Sequence, residues 1–204
     1  EDAKVPSKEL LMEASKHTNI NDIIINETSS TVYLKDKDML IDVGAVAKGY
    51  VTDIIAKYLI DKKVTSYILN LGGNIRLIGS NTKDEPWRVG IQNPDLTSEK
   101  ASIRVFNLKD CSVVTSGSYQ RYYEVDGIRY HHIINPKTLM PENEFLSVSV
   151  ITKDAALADC LSTTLFNMSI DEGKKLIMKY EHTYVMWIDK NYQIYYSDGL
   201  ESFL

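Results

Sequence analysis

Little in this sequence of 204 residues would staple, anchor or tether it. There are two cysteines, Cys111 and Cys160, and no Cys-x-x-Cys pair, so neither a disulfide framework nor a thiolate metal cluster is available. Both are expected as small buried apolar side chains. No apolar run is long enough to span a bilayer, and no charged leader precedes an apolar core. Charge of one sign is not in excess either: 23 Lys and Arg stand against 28 Asp and Glu, a net charge of −5 with the signs interspersed. This argues against a nucleic-acid partner, since a phosphate-backbone binder needs a clustered basic face. Even Lys35-Asp36-Lys37-Asp38 simply alternates and reads as a solvated loop. Repeats, linkers and low-complexity tracts are absent.

What is present suits one substantial core, with 44% hydrophobic and 25% charged residues. Ser7 is a plausible cap for a helix over 8–16, and alternation over 22–25 and 31–34 predicts a short hairpin. Val46, Val51, Ile54, Ile55, Tyr58 and Leu59 recur at helical spacing, which predicts an amphipathic helix over 45–60 with those side chains inward. Strands follow at 66–71, 74–79, 87–91, 102–108, 112–115, 121–125 and 128–134, with Asp126-Gly127 as a two-residue hairpin turn. An apolar strand over 146–151, helices from Asp154 and over 170–180, and a hairpin turned at 189–191 complete the pattern. The elements make an α+β layer structure in a single domain, 1–204. Trp87 and Trp187 are expected in the core.

Two segments carry chemistry. In Ala158-Asp159-Cys160-Leu161-Ser162-Thr163, a helix places Asp159 and Thr163 one turn apart on one face, a carboxylate with a hydroxyl. Hard oxygen donors of this kind suit Mg²⁺, which keeps places for water and phosphate oxygens, although the same spacing also describes an ordinary solvated or capping pair. Upstream, Met39-Leu40-Ile41 followed by Gly44 and a helical pattern reads as strand, turn, helix, with Lys48 near a helix N-terminus suited to an anion. The glycine spacing is not that of a P-loop. Among the histidines, His17 and His182 lie near predicted helix ends, while His131 and His132 close a strand before Pro136. Tyr119, Tyr122, Tyr123 and Tyr130 flank that region and are best read as strand residues packing across a sheet.

Asp42-Val43-Gly44-Ala45-Val46-Ala47-Lys48-Gly49-Tyr50 resembles the signature of the FAD:protein FMN transferases, the ApbE-like family. Further blocks follow in that family's order: Leu69-Asn70-Leu71-Gly72-Gly73-Asn74-Ile75, Pro86-Trp87-Arg88-Val89-Gly90-Ile91-Gln92-Asn93-Pro94, Thr115-Ser116-Gly117-Ser118-Tyr119-Gln120-Arg121-Tyr122, His131-His132-Ile133-Ile134-Asn135-Pro136, and the helix with Asp159 and Thr163. The resemblance implies a T-fold-related α+β fold, a mixed sheet with helices packed on it. It also implies a reaction: cleavage of FAD, attachment of FMN through a phosphoester to a threonine of an acceptor flavoprotein, and release of AMP.

By the same resemblance, Ala45 (through its carbonyl), Asp159 and Thr163 are metal ligands for Mg²⁺. Asp42, Lys48 and Ile133 fall at FAD-contacting positions, and His132 is the candidate for proton transfer, with His131 a neighbour of no direct role. The chain is expected to lack the family's N-terminal portion, to be a processed or truncated piece, and to work outside the cytoplasm with a membrane-associated precursor. Three positions depart from the family pattern. Ser118 and Asn74 stand where aspartates are usual, and Leu139 interrupts a Thr-Gly. An FAD pyrophosphatase using water as acceptor, and a catalytically silent flavin-binding module, are the alternatives.

Overall fold

A computed structural model describes residues 3–204. Its first half runs α1 (Lys8–Ser15), β1 (Ile23–Asn26), β2 (Thr31–Leu34), α2 (Ala47–Asp61), β3 (Tyr67–Leu71), β4 (Asn74–Ile78), β5 (Trp87–Gln92) and β6 (Ser102–Leu108). Then come β7 (Ser112–Gly117), β8 (Tyr122–Val125), β9 (Ile128–His131), β10 (Ile134–Asn135), β11 (Met140–Pro141) and β12 (Phe145–Thr152). The chain closes with α3 (Ala155–Phe166), α4 (Ile170–Ile177), β13 (Tyr184–Asp189) and β14 (Ile194–Tyr196).

Six strands form the central sheet in the order β14-β13-β12-β7-β4-β3, and the other strands pair as separate hairpins. The α+β class is as expected. The sheet, expected to be mixed, is instead antiparallel in every ladder. Its short connections favour this: β3–β4 and β13–β14 are hairpins, and no helix crosses over between neighbouring parallel strands.

Both faces of the sheet are covered. One face carries Val114, Val148, Val150 and Trp187 against Leu161, Leu165 and Phe166 of α3. The other packs Leu77, Val113, Ile151 and Met186 against Phe106 and Leu108 of the β5–β6 hairpin. Period-two alternation sends successive β12 side chains to opposite cores, which is why this strand is buried along nearly its whole length.

Helix α2 departs from its predicted burial. Val51, Ile54 and Tyr58 are exposed, and the inward residues are Gly49, Thr52 and Ala56. Small residues win this face because α2 lies almost in contact with the start of α3: a Cβ on Gly49 would sit 2.2 Å from the Ala155 carbonyl oxygen. The two helices also cap each other. Asp53 of α2 accepts the Ala155 and Ala156 N–H groups at 2.8 and 3.0 Å, and Asp159 of α3 accepts the Gly49 N–H at 2.9 Å. Burial raises the Asp53 pKa despite those bonds.

Other expectations are corrected. No strand forms over 39–41, where Leu40 is 93% exposed, so the strand-turn-helix reading fails. Cys160 is exposed and Cys111 half-buried, and both are free; burial pushes the Cys111 thiol up to about 11. Trp187 is in the core, whereas Trp87 is half-buried and donates its indole N–H to the Ile78 carbonyl. Asp36 is not merely solvated, since it bonds His17 at 2.7 Å and ties the end of α1 to the loop after β2.

Candidate active site

A polar cavity of about 500 Å³ opens where the N-terminus of α2, the β3–β4 turn, the end of β7, the segment after β9 and the face of α3 meet. The residues singled out as metal ligands (Ala45, Asp159, Thr163), as nucleotide contacts (Asp42, Lys48, Ile133) and for proton transfer (His132) all line it. They come from three stretches far apart in sequence, which the fold brings to one place.

The α3 wall is buried and hydroxyl-rich. Asp159 is 4% exposed. Its Oδ2 is taken by the Gly49 N–H, and Oδ1 has no hydrogen bond among the described residues. Thr163, one turn on, shares a chain of hydroxyls with Ser116 (3.2 Å), which in turn contacts Ser162 at 2.8 Å. Asn74 is fully buried at the cavity's edge, and neither atom of its carboxamide has a hydrogen-bond partner. A buried amide left this way costs about 1–3 kcal/mol, so Asn74 suits a polar ligand group.

The opposite wall is an exposed loop. Asp42 Oδ1 accepts the Gly44 N–H at 2.6 Å, which folds the loop back on itself, and Lys48 Nζ reaches the Gly44 carbonyl at 3.3 Å. Helix α2 is preceded by Val46, which has no side chain that could cap it. Its first turn therefore relies on Asp159 to satisfy the Gly49 N–H, a cap supplied from α3. Ala45 lies outside the helix ladder, so its carbonyl is not needed there. One free carboxylate oxygen, one carbonyl and one hydroxyl make a hard-oxygen set that fits Mg²⁺. Gly72 and Gly73, at φ +60° and +92°, form the two-residue turn between β3 and β4 and present backbone to the cavity.

The two histidines separate clearly. His131 is buried: its Nε2 donates to the Glu142 carbonyl and its Nδ1 accepts the Ile133 N–H. Both nitrogens are committed, in one neutral tautomer, and burial lowers its pKa. His132 is exposed, with Nδ1 3.3 Å from the Arg121 carbonyl. Donation from Nδ1 to that oxygen leaves Nε2 as the basic nitrogen.

Residue-level reading missed two members of the wall. Asn167 follows Asp159 and Thr163 at the same four-residue spacing, which was the available signal; its Nδ2 donates to the Thr163 carbonyl, while its buried Oδ1 is unpartnered. Arg121, which bonds His132 through its backbone, lies within the block over 115–122 that carries the resemblance but was assigned no role there.

Comparison with known proteins bears on this geometry. A sequence model of the ApbE family matches residues 1–187. A Klebsiella pneumoniae protein named FAD:protein FMN transferase is 35% identical over 178 residues, which is 87% of this chain and 54% of that protein. A Treponema pallidum protein of the same name is 33% identical over 212 residues, covering 97% of this chain and 58% of its own length. Among solved structures, the flavin transferase ApbE from Vibrio cholerae superposes with a TM-score of 0.85 at 30% identity, over all of this chain and 65% of that one. An ApbE protein from Thermotoga maritima gives 0.88 at 32% identity, covering 98% of this chain and 64% of its own. The chain thus spans less than two thirds of the length of these relatives.

Proposed function

This chain belongs to the ApbE family, and from that premise we propose that it is a flavin transferase: it cleaves FAD, joins FMN by a phosphoester to a threonine hydroxyl of an acceptor flavoprotein, and releases AMP. The observation that carries the reading is the gathering of Asp42, Ala45, Lys48, His132, Ile133, Asp159 and Thr163 around one cavity. Relatives named FAD:protein FMN transferase support the flavin-transfer part of it.

Each residue's part follows from its chemistry. A pyrophosphate repels a nucleophile, and a hydroxyl is a weak one. Lys48 supplies a fixed positive charge for a phosphate oxygen, and the Gly72-Gly73 turn lets backbone approach closely. The buried Ile133 forms an apolar floor. His132, oriented by the Arg121 carbonyl, takes the proton from the attacking hydroxyl. Asp159, Thr163 and the Ala45 carbonyl would hold Mg²⁺, which when bound neutralises phosphate charge in the transition state. The work site inferred with this function is extracytoplasmic, at a membrane surface. That location rests on the family resemblance; among the described residues no helix is long and apolar enough to cross a membrane.

The test is incubation with FAD, Mg²⁺ and a candidate acceptor domain, reading acceptor mass and free AMP. An acceptor heavier by one FMN, with stoichiometric AMP, is the expected result. AMP with unmodified acceptor would replace transfer by FAD hydrolysis, and no AMP at all would leave a flavin-binding module.

A further inference from the structure

A second cavity, of about 530 Å³, adjoins the nucleotide site and shares Arg121, His132 and Ile134 with it. We propose that this cavity holds the acceptor polypeptide, taking an apolar side chain of the segment that carries the accepting hydroxyl. The inference rests on the transfer reaction proposed above and names where its second substrate docks.

The two cavities differ in chemistry as two substrates would require. The nucleotide cavity is rich in hydroxyls, amides, glycine backbone and carboxylate. The second is walled by Tyr123, Tyr130, Leu139, Met140 and Pro141, and holds no carboxylate to help bind a metal. The phosphates that react belong with the Asp159 and Thr163 wall. A protein hydroxyl cannot arrive alone, because the backbone on either side of it must lie along the surface beside His132. This cavity offers such a concave surface at that histidine.

Its walls are also ready to receive an extended chain. The β8–β9 and β10–β11 hairpins stand apart from the central sheet and leave edges unpaired, the arrangement by which extended peptides are bound through main-chain hydrogen bonds. Tyr123 and Tyr130 stack at 5.5 Å between centroids, which stiffens the first hairpin, and Tyr123 is still 40% exposed. Large rigid aromatics of this kind give contact area at low entropic cost.

Leu139 is the residue that points to specificity. It sits in the turn between β10 and β11 at φ +59°, a backbone region that favours glycine, with its N–H bonded to the Asn135 carbonyl at 2.8 Å. A leucine held there is strained, and the strain places an apolar side chain in the cavity wall that a glycine would not supply. A residue serving the turn alone would be improved by glycine. One serving the cavity would not.

The experiment probes nine-residue peptides with a central threonine, varied at the flanking positions, by fluorescence polarisation and mass spectrometry in FAD and Mg²⁺. The native chain is expected to bind peptides with an apolar residue within three positions of the threonine at least tenfold better than those with Asp or Lys there. Leu139→Gly should cut that preference fivefold or more, with a melting temperature that does not fall and FAD affinity within twofold. Tyr123→Ser should do the same, as a second reading should Leu139→Gly alter the turn. No preference for apolar flanks, or a preference unchanged in both variants, would overturn the proposal. A tenfold loss of FAD affinity in Tyr123→Ser would overturn it too, by giving the cavity to the flavin ring. Whether the bound peptides gain the mass of FMN is a separate reading, which tests the transfer reaction independently of the docking preference.

Discussion

Asp159 and Asn74, on one wall of the nucleotide cavity, are 4% and 0% exposed, whereas Asp42, Ala45 and Lys48, on the facing wall, are exposed. The first wall is part of the core: α3 is packed on the sheet through Leu161, Leu165 and Phe166, so its donors are fixed before any ligand arrives. The second is an exposed loop held by short local bonds, among them Asp42 to the Gly44 N–H, Lys48 to the Gly44 carbonyl and the Val43 carbonyl to the Val46 and Ala47 N–H groups, and by what reaches it from across the cavity. The contrast assigns a division of labour, in which the buried wall sets geometry and the exposed wall supplies charge to an incoming anion. Gly49 and Asp159 are where the walls are joined.

The largest expected effect is therefore at that joint. Gly49→Ala would put a methyl 2.2 Å from the Ala155 carbonyl oxygen, backbone that cannot step aside. It should cost about 3 kcal/mol or more by overpacking, measured by urea denaturation. Stability close to the native value would show that the walls are not locked here.

Asp159 divides next. Asp159→Ala removes the cap on α2 and should cost about 1–2 kcal/mol, while Asp159→Asn keeps an oxygen for the Gly49 N–H and should cost less than half as much. Equal losses would mean that charge, and not the cap, joins the walls.

A smaller effect, confined to the exposed wall, follows from Lys48→Ala. Thermal stability should stay put, because an exposed lysine bonded only to the Gly44 carbonyl holds little together. FAD affinity, read by fluorescence titration, should drop about tenfold, or about 1.4 kcal/mol. A lower melting temperature with unchanged affinity would reverse the assignment.

The mildest test uses pH. Burial lowers the His131 pKa below its ordinary 6.5, so the unfolded chain binds the proton more readily than the folded one. The stability His131 contributes is complete above pH 6.5 and is lost as pH falls towards its folded pKa. Melting temperature should decline below that pH in the native chain and less steeply in His131→Gln. Parallel declines would place the acid sensitivity elsewhere.

Much of this was legible in the residues. Ser7 caps α1, Asp126-Gly127 turns β8 into β9, and Asp159 and Thr163 share a helix face, because each depends on local geometry alone. The residues carried over by resemblance also line one cavity. Burial was harder to read wherever the partner was distant. Periodicity pointed Val51, Ile54 and Tyr58 of α2 inward, but the close approach of α3 selected Gly49, Thr52 and Ala56. A carboxylate 110 positions away capping Gly49 leaves no local trace. The pattern read 128–134 as one strand, whereas β9 ends at His131, whose ring bonds the distant Glu142 carbonyl, a contact with no local trace either.

The most direct measurement is AMP released from FAD as Mg²⁺ is titrated, in the native chain and in Asp159→Asn. The account predicts a Mg²⁺-dependent rate in the native chain and a rate lower by about a hundredfold or more in the variant, the order of loss seen when a group stabilising transition-state charge is removed. Equal rates and equal Mg²⁺ dependence in the two proteins would contradict the assignment of Asp159 and, with it, the reading of the cavity.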